Sequence, residues 1–144
     1  MVELEWALAG RSGEYGKIRA VLESEGFVLG GGWEYDHAYF DRELARTEGE
    51  TVYLRVPVTA EQGTIGQDDA RVRLGTPFVL NHVVHLGSHI DRAEAIPNPF
   101  LNQFSPPRER DGSVTPEWVE AGRSVLARVS PALDAALAER GAEK

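Results

Sequence analysis

The chain of 144 residues contains no cysteine. Disulfides and thiolate metal sites are therefore excluded, and with them a small secreted scaffold held by crosslinks. No apolar run approaches the ~18 residues that a membrane-spanning helix needs. The first residues, Met1-Val2-Glu3-Leu4-Glu5-Trp6, put two acids where a secretory signal carries positive charge, so a cytoplasmic location is expected. Basic residues are few as well. Fifteen Lys and Arg against 23 Asp and Glu give a net charge of −8, which opposes a phosphate backbone, and neither nucleic-acid nor membrane binding is expected. The patterns GxGxxG and GxxxxGK[ST] are missing, no cofactor is called for, and Ser24, Ser88, Ser105 and Ser124 lack the context of a nucleophile elbow.

What is present is a single domain over residues 1–144 with uneven charge. Residues 1–69 carry 6 basic and 14 acidic groups, whereas residues 70–144 carry nine of each, so the whole excess of acid lies in the first half. Basic partners fit that half.

The hydropathy pattern predicts the elements. Val2, Leu4, Trp6 and Leu8 alternate with polar or small residues, which predicts an opening strand. Ser12 is placed to cap a helix whose apolar positions are Tyr15, Ile18, Val21 and Leu22 and which Gly26 ends. Phe27 to Asp41, interrupted by Gly30-Gly31-Gly32, predicts one long bent or bulged strand. After a turn over 46–50, Val52, Leu54, Val56 and Val58 alternate with polar residues, so the two strands form a hairpin, and Pro57 predicts a strand end or a sheet edge. Ala60 to Ala70 is a polar loop, and Val72–Leu74 and Phe78–Leu86 are two further strands. Residues 87–114 hold four prolines and show no periodicity, which predicts a long irregular connection. Thr115-Pro116-Glu117 starts a second helix with an apolar stripe of Trp118, Gly122, Val125, Val129, Leu133 and Leu137, and Pro131 either kinks or restarts it. The expectation is an α+β fold, a mainly antiparallel sheet of about five strands in the order β-α-β4-α, with the helices packed on one face in a helix-grip-like arrangement.

The richest stretch in chemistry is Trp33-Glu34-Tyr35-Asp36-His37-Ala38-Tyr39. On a strand, Trp33, Tyr35, His37 and Tyr39 share one face, an aromatic wall with one titratable nitrogen that suits a ligand. Glu34 and Asp36 fall on the opposite face, which counts against acid–base chemistry at His37. His82 and His85 also point to opposite faces of a strand, and Gly87-Ser88 interrupts any helix joining His85 to His89, so no metal site is read. Phe100 and Phe104 read as anchors beneath the proline-rich loop. The reading favours a non-enzymatic binding or protein-interaction domain for a protein or an apolar small molecule, with homodimerisation as a corollary. A hydrolase or isomerase using His37 with nearby carboxylates, metal-assisted at His82, is the alternative.

Gly26-Phe27-Val28, Gly30-Gly31, Trp33-Glu34-Tyr35-Asp36-His37, Tyr39-Phe40-Asp41, Leu54-Arg55-Val56-Pro57, Val72 to Phe78 and Asn102-Gln103-Phe104-Ser105 together resemble the YugN-like family of bacterial proteins. The resemblance implies a small intracellular bacterial protein. It brings no activity, cofactor or catalytic residue to carry over.

Overall fold

The structure, a computed structural model, describes residues 1–30, 34–83 and 110–142. Over the described residues it is an α+β fold with an antiparallel sheet and two helices. The strands are β1 (Val2–Glu3), β2 (Ser12–Glu14), β3 (Val28–Leu29), β4 (His37–Thr47), β5 (Glu50–Gln62), β6 (Arg71–Leu74), β7 (Phe78–Val83) and β8 (Arg110–Asp111). The helices are α1 (Tyr15–Ser24) and α2 (Pro116–Ala142). The main sheet path is β1-β7-β5-β4-β3, with β6 joining β5 to β2 and β8 pairing with β7.

The central hairpin is β4–β5, closed by Glu48-Gly49 with Gly49 at φ +84. A bulge lies between Glu43 and Ala45. On β5, Val52, Leu54, Val56 and Val58 are buried, as period-2 alternation requires. Both helices cover that inner face. Gly122 of α2 stands so close that a Cβ there would lie 2.8 Å from Val79 and 3.2 Å from Leu4, and Tyr15 of α1 packs on Phe40 at 6.1 Å between ring centroids. The expected stripe of α2 is buried at Gly122, Val125, Val129, Leu133 and Leu137.

Helix α1 ends as the sequence implies. Gly26, at φ +90, donates to the Glu23 carbonyl at 3.1 Å and Phe27 donates to that of Leu22 at 3.0 Å, a Schellman motif. Its start differs from the expectation. Ser12 lies in β2 opposite Arg73, and its hydroxyl bonds Glu61 Oε1 at 2.8 Å instead of capping the helix. Backbone carbonyls do the capping: Tyr15 N–H donates to Ala70 and Gly16 N–H to Asp68, at 2.7 and 2.9 Å.

Other elements depart from the sequence reading for identifiable reasons. The opening strand is only Val2–Glu3, because after Leu4 N–H bonds the Pro77 carbonyl the chain turns, Ala9 N–H reaching the Trp6 carbonyl. Leu4 and Leu8 are nonetheless buried. The segment from Phe27 to Asp41 is no single bent strand: β3 folds back on β4, with Val28 opposite Asp41 and Leu29 opposite Phe40.

Pro57 neither ends a strand nor marks a sheet edge. It lies within β5, past the point where β7 stops pairing at Arg55 and before β6 begins at Val58. Its carbonyl accepts from Gly75 N–H at 2.8 Å, so the missing Pro57 N–H faces the same junction and no ladder bond is lost. For the same reason β5 continues to Gln62, through the start of the expected loop.

Helix α2 runs through Pro131. Pro131 and Ala127, whose carbonyl loses its usual partner, are both exposed, so water can serve that carbonyl. The N-terminal position is as expected: Val119 N–H donates to the Thr115 carbonyl at 3.1 Å. Buried Asn81 holds the approach to α2, its side-chain Nδ2 donating to the Ser113 carbonyl at 2.9 Å and its backbone carbonyl accepting from Gly112 N–H at 2.7 Å. Trp33, His85, His89, Phe100, Phe104 and most of the expected irregular connection lie outside the described residues, while its last part forms β8.

Candidate functional site

Away from the bulges, the faces of β4 and β5 alternate, so the residues between the inward-facing ones point to the other side of the sheet. Register places these outward residues in rows across the strands. One row is Val28–Asp41–Arg55–Phe78–Glu3, and the next is Glu43–Tyr53–Leu80. Tyr39 and Pro57 flank the first row.

At the centre, Arg55 grips Asp41 with both prongs of its guanidinium, Nε to Oδ1 at 2.7 Å and NH2 to Oδ2 at 2.9 Å. The fork geometry fixes the plane of the guanidinium. That plane carries Tyr39, whose ring centroid lies 4.8 Å from the guanidinium carbon, and Phe78 meets the Tyr39 ring edge-on at 6.4 Å. The hydrogen bonds that Arg55 donates to Asp41 hold its guanidinium above its usual, already high pKa against the opposing effect of burial. Asp41 is only 8% exposed, yet Tyr39 is 39% and Val28 61% exposed. The result is a charge pair, buried at Asp41, whose guanidinium stacks on an aromatic ring that still faces solvent. Farther along, Tyr53 and His82 meet at 6.4 Å, edge to face.

Of the expected aromatic face, His37 and Tyr39 stand two residues apart on β4, both on its outer side, whereas Tyr35 lies in a bend before β4 and is 77% exposed. Trp33 lies outside the described residues. The expected separation of His37 from the acids is also corrected. Residues 34–36 form a tight turn, with Glu34 N–H bonded to the His37 carbonyl at 2.9 Å, so strand alternation does not apply to them. Asp36 Oδ1 sits 2.9 Å from His37 Nδ1, and Glu34 Oε1 sits 4.0 Å from Nε2. One donor atom from each of the three residues lies within 4.8 Å of the others, and all three side chains are exposed. Such a turn can shuttle a proton or hold a cation loosely.

Sequence reasoning missed Arg55, Phe78 and Tyr53. Their outward positions were readable from alternation, and the presence of an arginine opposite an acidic, aromatic strand was the available signal.

The comparisons with known proteins agree with this architecture. The model of the YugN-like family matches residues 3–133. The chain belongs to the YugN-like family. It is 37% identical over 134 residues to the uncharacterized protein YugN of Bacillus subtilis strain 168, covering 92% of this chain and 98% of that one. The uncharacterized protein YlbA of the same organism is 29% identical over 93 residues, covering 65% of this chain and 77% of that one. Among solved structures, the uncharacterized conserved protein YugN from Geobacillus kaustophilus HTA426 superposes with a TM-score of 0.67 at 24% identity, over 93% of this chain and 96% of that one. That likeness concerns the fold of this family member. No helix among the described residues is long and apolar enough to cross a membrane.

Proposed function

We propose that this family member is a non-enzymatic protein-interaction domain that docks a basic, apolar polypeptide segment on the outer face of its sheet. One observation carries the reading: Tyr39 is held in place by the Arg55–Asp41 pair and Phe78, yet remains 39% exposed. A pre-ordered Tyr–Arg pair loses little side-chain freedom on binding, and those two residue types dominate the centres of protein interfaces. The sign of the partner follows from charge. Residues 1–69 hold the whole acid excess, the row ends in Glu3, and Arg55 is already neutralised by Asp41. In this reading the long terminal helix closes the inner face in a helix-grip manner and the domain works in the cytoplasm.

Peptide-display selection on the full chain tests the proposal. Selected peptides should combine basic with aromatic or aliphatic residues, bind Tyr39→Ala and Arg55→Ala at least about tenfold more weakly, and bind an Arg123→Ala control unchanged. Peptides that bind Tyr39→Ala as tightly as the native chain would sink it, as would a selection that enriches none. Sedimentation equilibrium examines self-association through the same face, and a dimer abolished by Tyr39→Glu would make a second copy the occupant instead.

A second reading, acid–base or metal-assisted hydrolysis at His37, draws on the approach of Glu34 and Asp36 to its ring. Turnover of ester or phosphoester substrates that vanishes in His37→Ala would favour it over the interaction domain.

A further inference from the structure

A groove of about 420 Å³ lies at the β1 side of the sheet, lined by Glu3, Leu4, Glu5, Trp6, Ala9 and Thr76. Its walls follow from the local chain path. After β1 pairs with β7 through Glu3 opposite Phe78, Leu4 N–H bonds the Pro77 carbonyl, and the chain then turns through Trp6 to Ala9. Leu4 is buried, while Glu3 and Glu5 are exposed.

The indole of Trp6 is not free to turn. Its Nε1 donates to Ser130 Oγ on α2 at 2.8 Å, which spends the only polar donor of the ring, so what Trp6 can offer the groove it lines is the carbon framework of the indole. Two carboxylates, an immobilised indole, the Ala9 methyl and the Thr76 hydroxyl line the groove, while Leu4, 1% exposed, keeps its side chain in the core. The carboxylates supply a negative potential, the indole supplies a quadrupole that attracts a cation, and the Ala9 methyl accepts methylene or methyl surface. The two carboxylates disfavour an anion there.

We infer that this groove is a binding site for a small alkylammonium cation, recognised by Glu3 and Glu5 together with the Trp6 indole. The site is distinct from the Tyr39 face. Of its residues only Glu3 belongs to an outer row, and the ligand is a small cation rather than a polypeptide.

The volume suits such a ligand, since small-molecule sites begin at roughly 300 Å³. The carboxylates stay hydrated when the groove is empty, so the fold bears no burial penalty for them, and binding weakens as salt screens the attraction.

The test is titration of the full-length ¹⁵N-labelled chain with choline, with n-butylammonium and with 3,3-dimethylbutan-1-ol, the uncharged carbon isostere of choline. The Trp6 indole N–H, assigned through Trp6→Phe, and the backbone amides of residues 3–9 are followed by NMR. At least one cation should give saturable shifts confined to this segment and Thr76, with the alcohol roughly tenfold or more weaker. The tighter of the two cations then names the source, a quaternary headgroup or a lysine-like primary amine. The paired substitution Glu3→Gln with Glu5→Gln, both at exposed positions, should abolish the shifts, and Tyr39→Ala should leave them unchanged. Shifts that do not saturate, an alcohol that binds as well as the cations, or retention of binding in the double glutamine variant would overturn the assignment.

Discussion

The indole Nε1 of Trp6 donates to the hydroxyl of Ser130 at 2.8 Å, joining residues 124 positions apart, and that hydroxyl in turn donates to the Leu126 carbonyl one helical turn back. The N-terminal segment is thus tied to α2 beside Pro131. Ser130 sits where the helix already lacks one backbone bond, and its hydroxyl carries two hydrogen bonds there. Replacing Ser130 by Ala leaves the half-buried indole N–H without its acceptor. A loss of about 1 kcal/mol in urea denaturation is expected, at an unchanged m-value. A cycle with Trp6→Phe should show that most of that loss belongs to the pair.

The Asp41–Arg55 pair supports a second prediction. Asp41 is 8% exposed and accepts both prongs of the guanidinium, so Asp41→Asn replaces a charge-assisted pair by a neutral contact beneath Tyr39. Loss of about 2 kcal/mol is expected by chemical denaturation, at the level of hydrogen bonds to charged groups. The Arg55→Lys variant should lose a similar amount although it keeps the charge, because an ammonium cannot match the two-pronged geometry.

Gly122 supports a third. Alanine is favoured over glycine in a helix by about 1 kcal/mol, but here its methyl would come within 2.8 Å of Val79 Cγ2 and 3.2 Å of Leu4 Cδ1. Crowding of a packed core costs about 1–3 kcal/mol, so Gly122→Ala should lower the melting temperature rather than raise it. A stabilised variant would show that α2 can shift away from the sheet freely.

Tyr15 carries a pH prediction. Burial of its phenol beside Phe40 raises its pKa above the ordinary 10.0, partly opposed by Arg19. The sign is that of an acid held more strongly in its protonated form when folded. Its contribution is therefore complete below pH 10 and is lost as the pH climbs through the raised value. Of the four tyrosines, one should ionise late in an absorbance titration, and Tyr15→Phe should remove that phase together with part of the alkaline loss of stability.

Much of the fold is legible in the chain because local periodicity and capping chemistry have local causes. The stripe of α2, the Schellman end at Gly26 and the hairpin around Glu48-Gly49 follow from residues within a few positions of one another. Where the sequence reading departs from the structure, a distant partner decides. Ser12 is drawn into β2 by β6, and Pro57 is accommodated because its missing donor faces the junction between β6 and β7. The site was less legible. His37 acquires Asp36 and Glu34 as neighbours through a tight turn in a stretch whose alternation reads as strand.

The sequence by itself determined the α+β class, the acidic first half and the family, since composition, period and motif order need no third dimension. Only the tertiary structure decided which face each residue of β4 presents. The bulge at Leu44 inserts one residue into the hairpin, and a shift of one residue exchanges the two faces of a strand. With the bulge, Phe40 enters the core and Asp41 meets Arg55; a regular hairpin from the same turn would set Asp41 opposite inward-facing Val56. The strand carries no glycine or proline to announce that bulge. The gain that fixes it is collective: burial of Ala38 and Phe40 on one side and pairing of Asp41 with Arg55 beneath Tyr39 on the other.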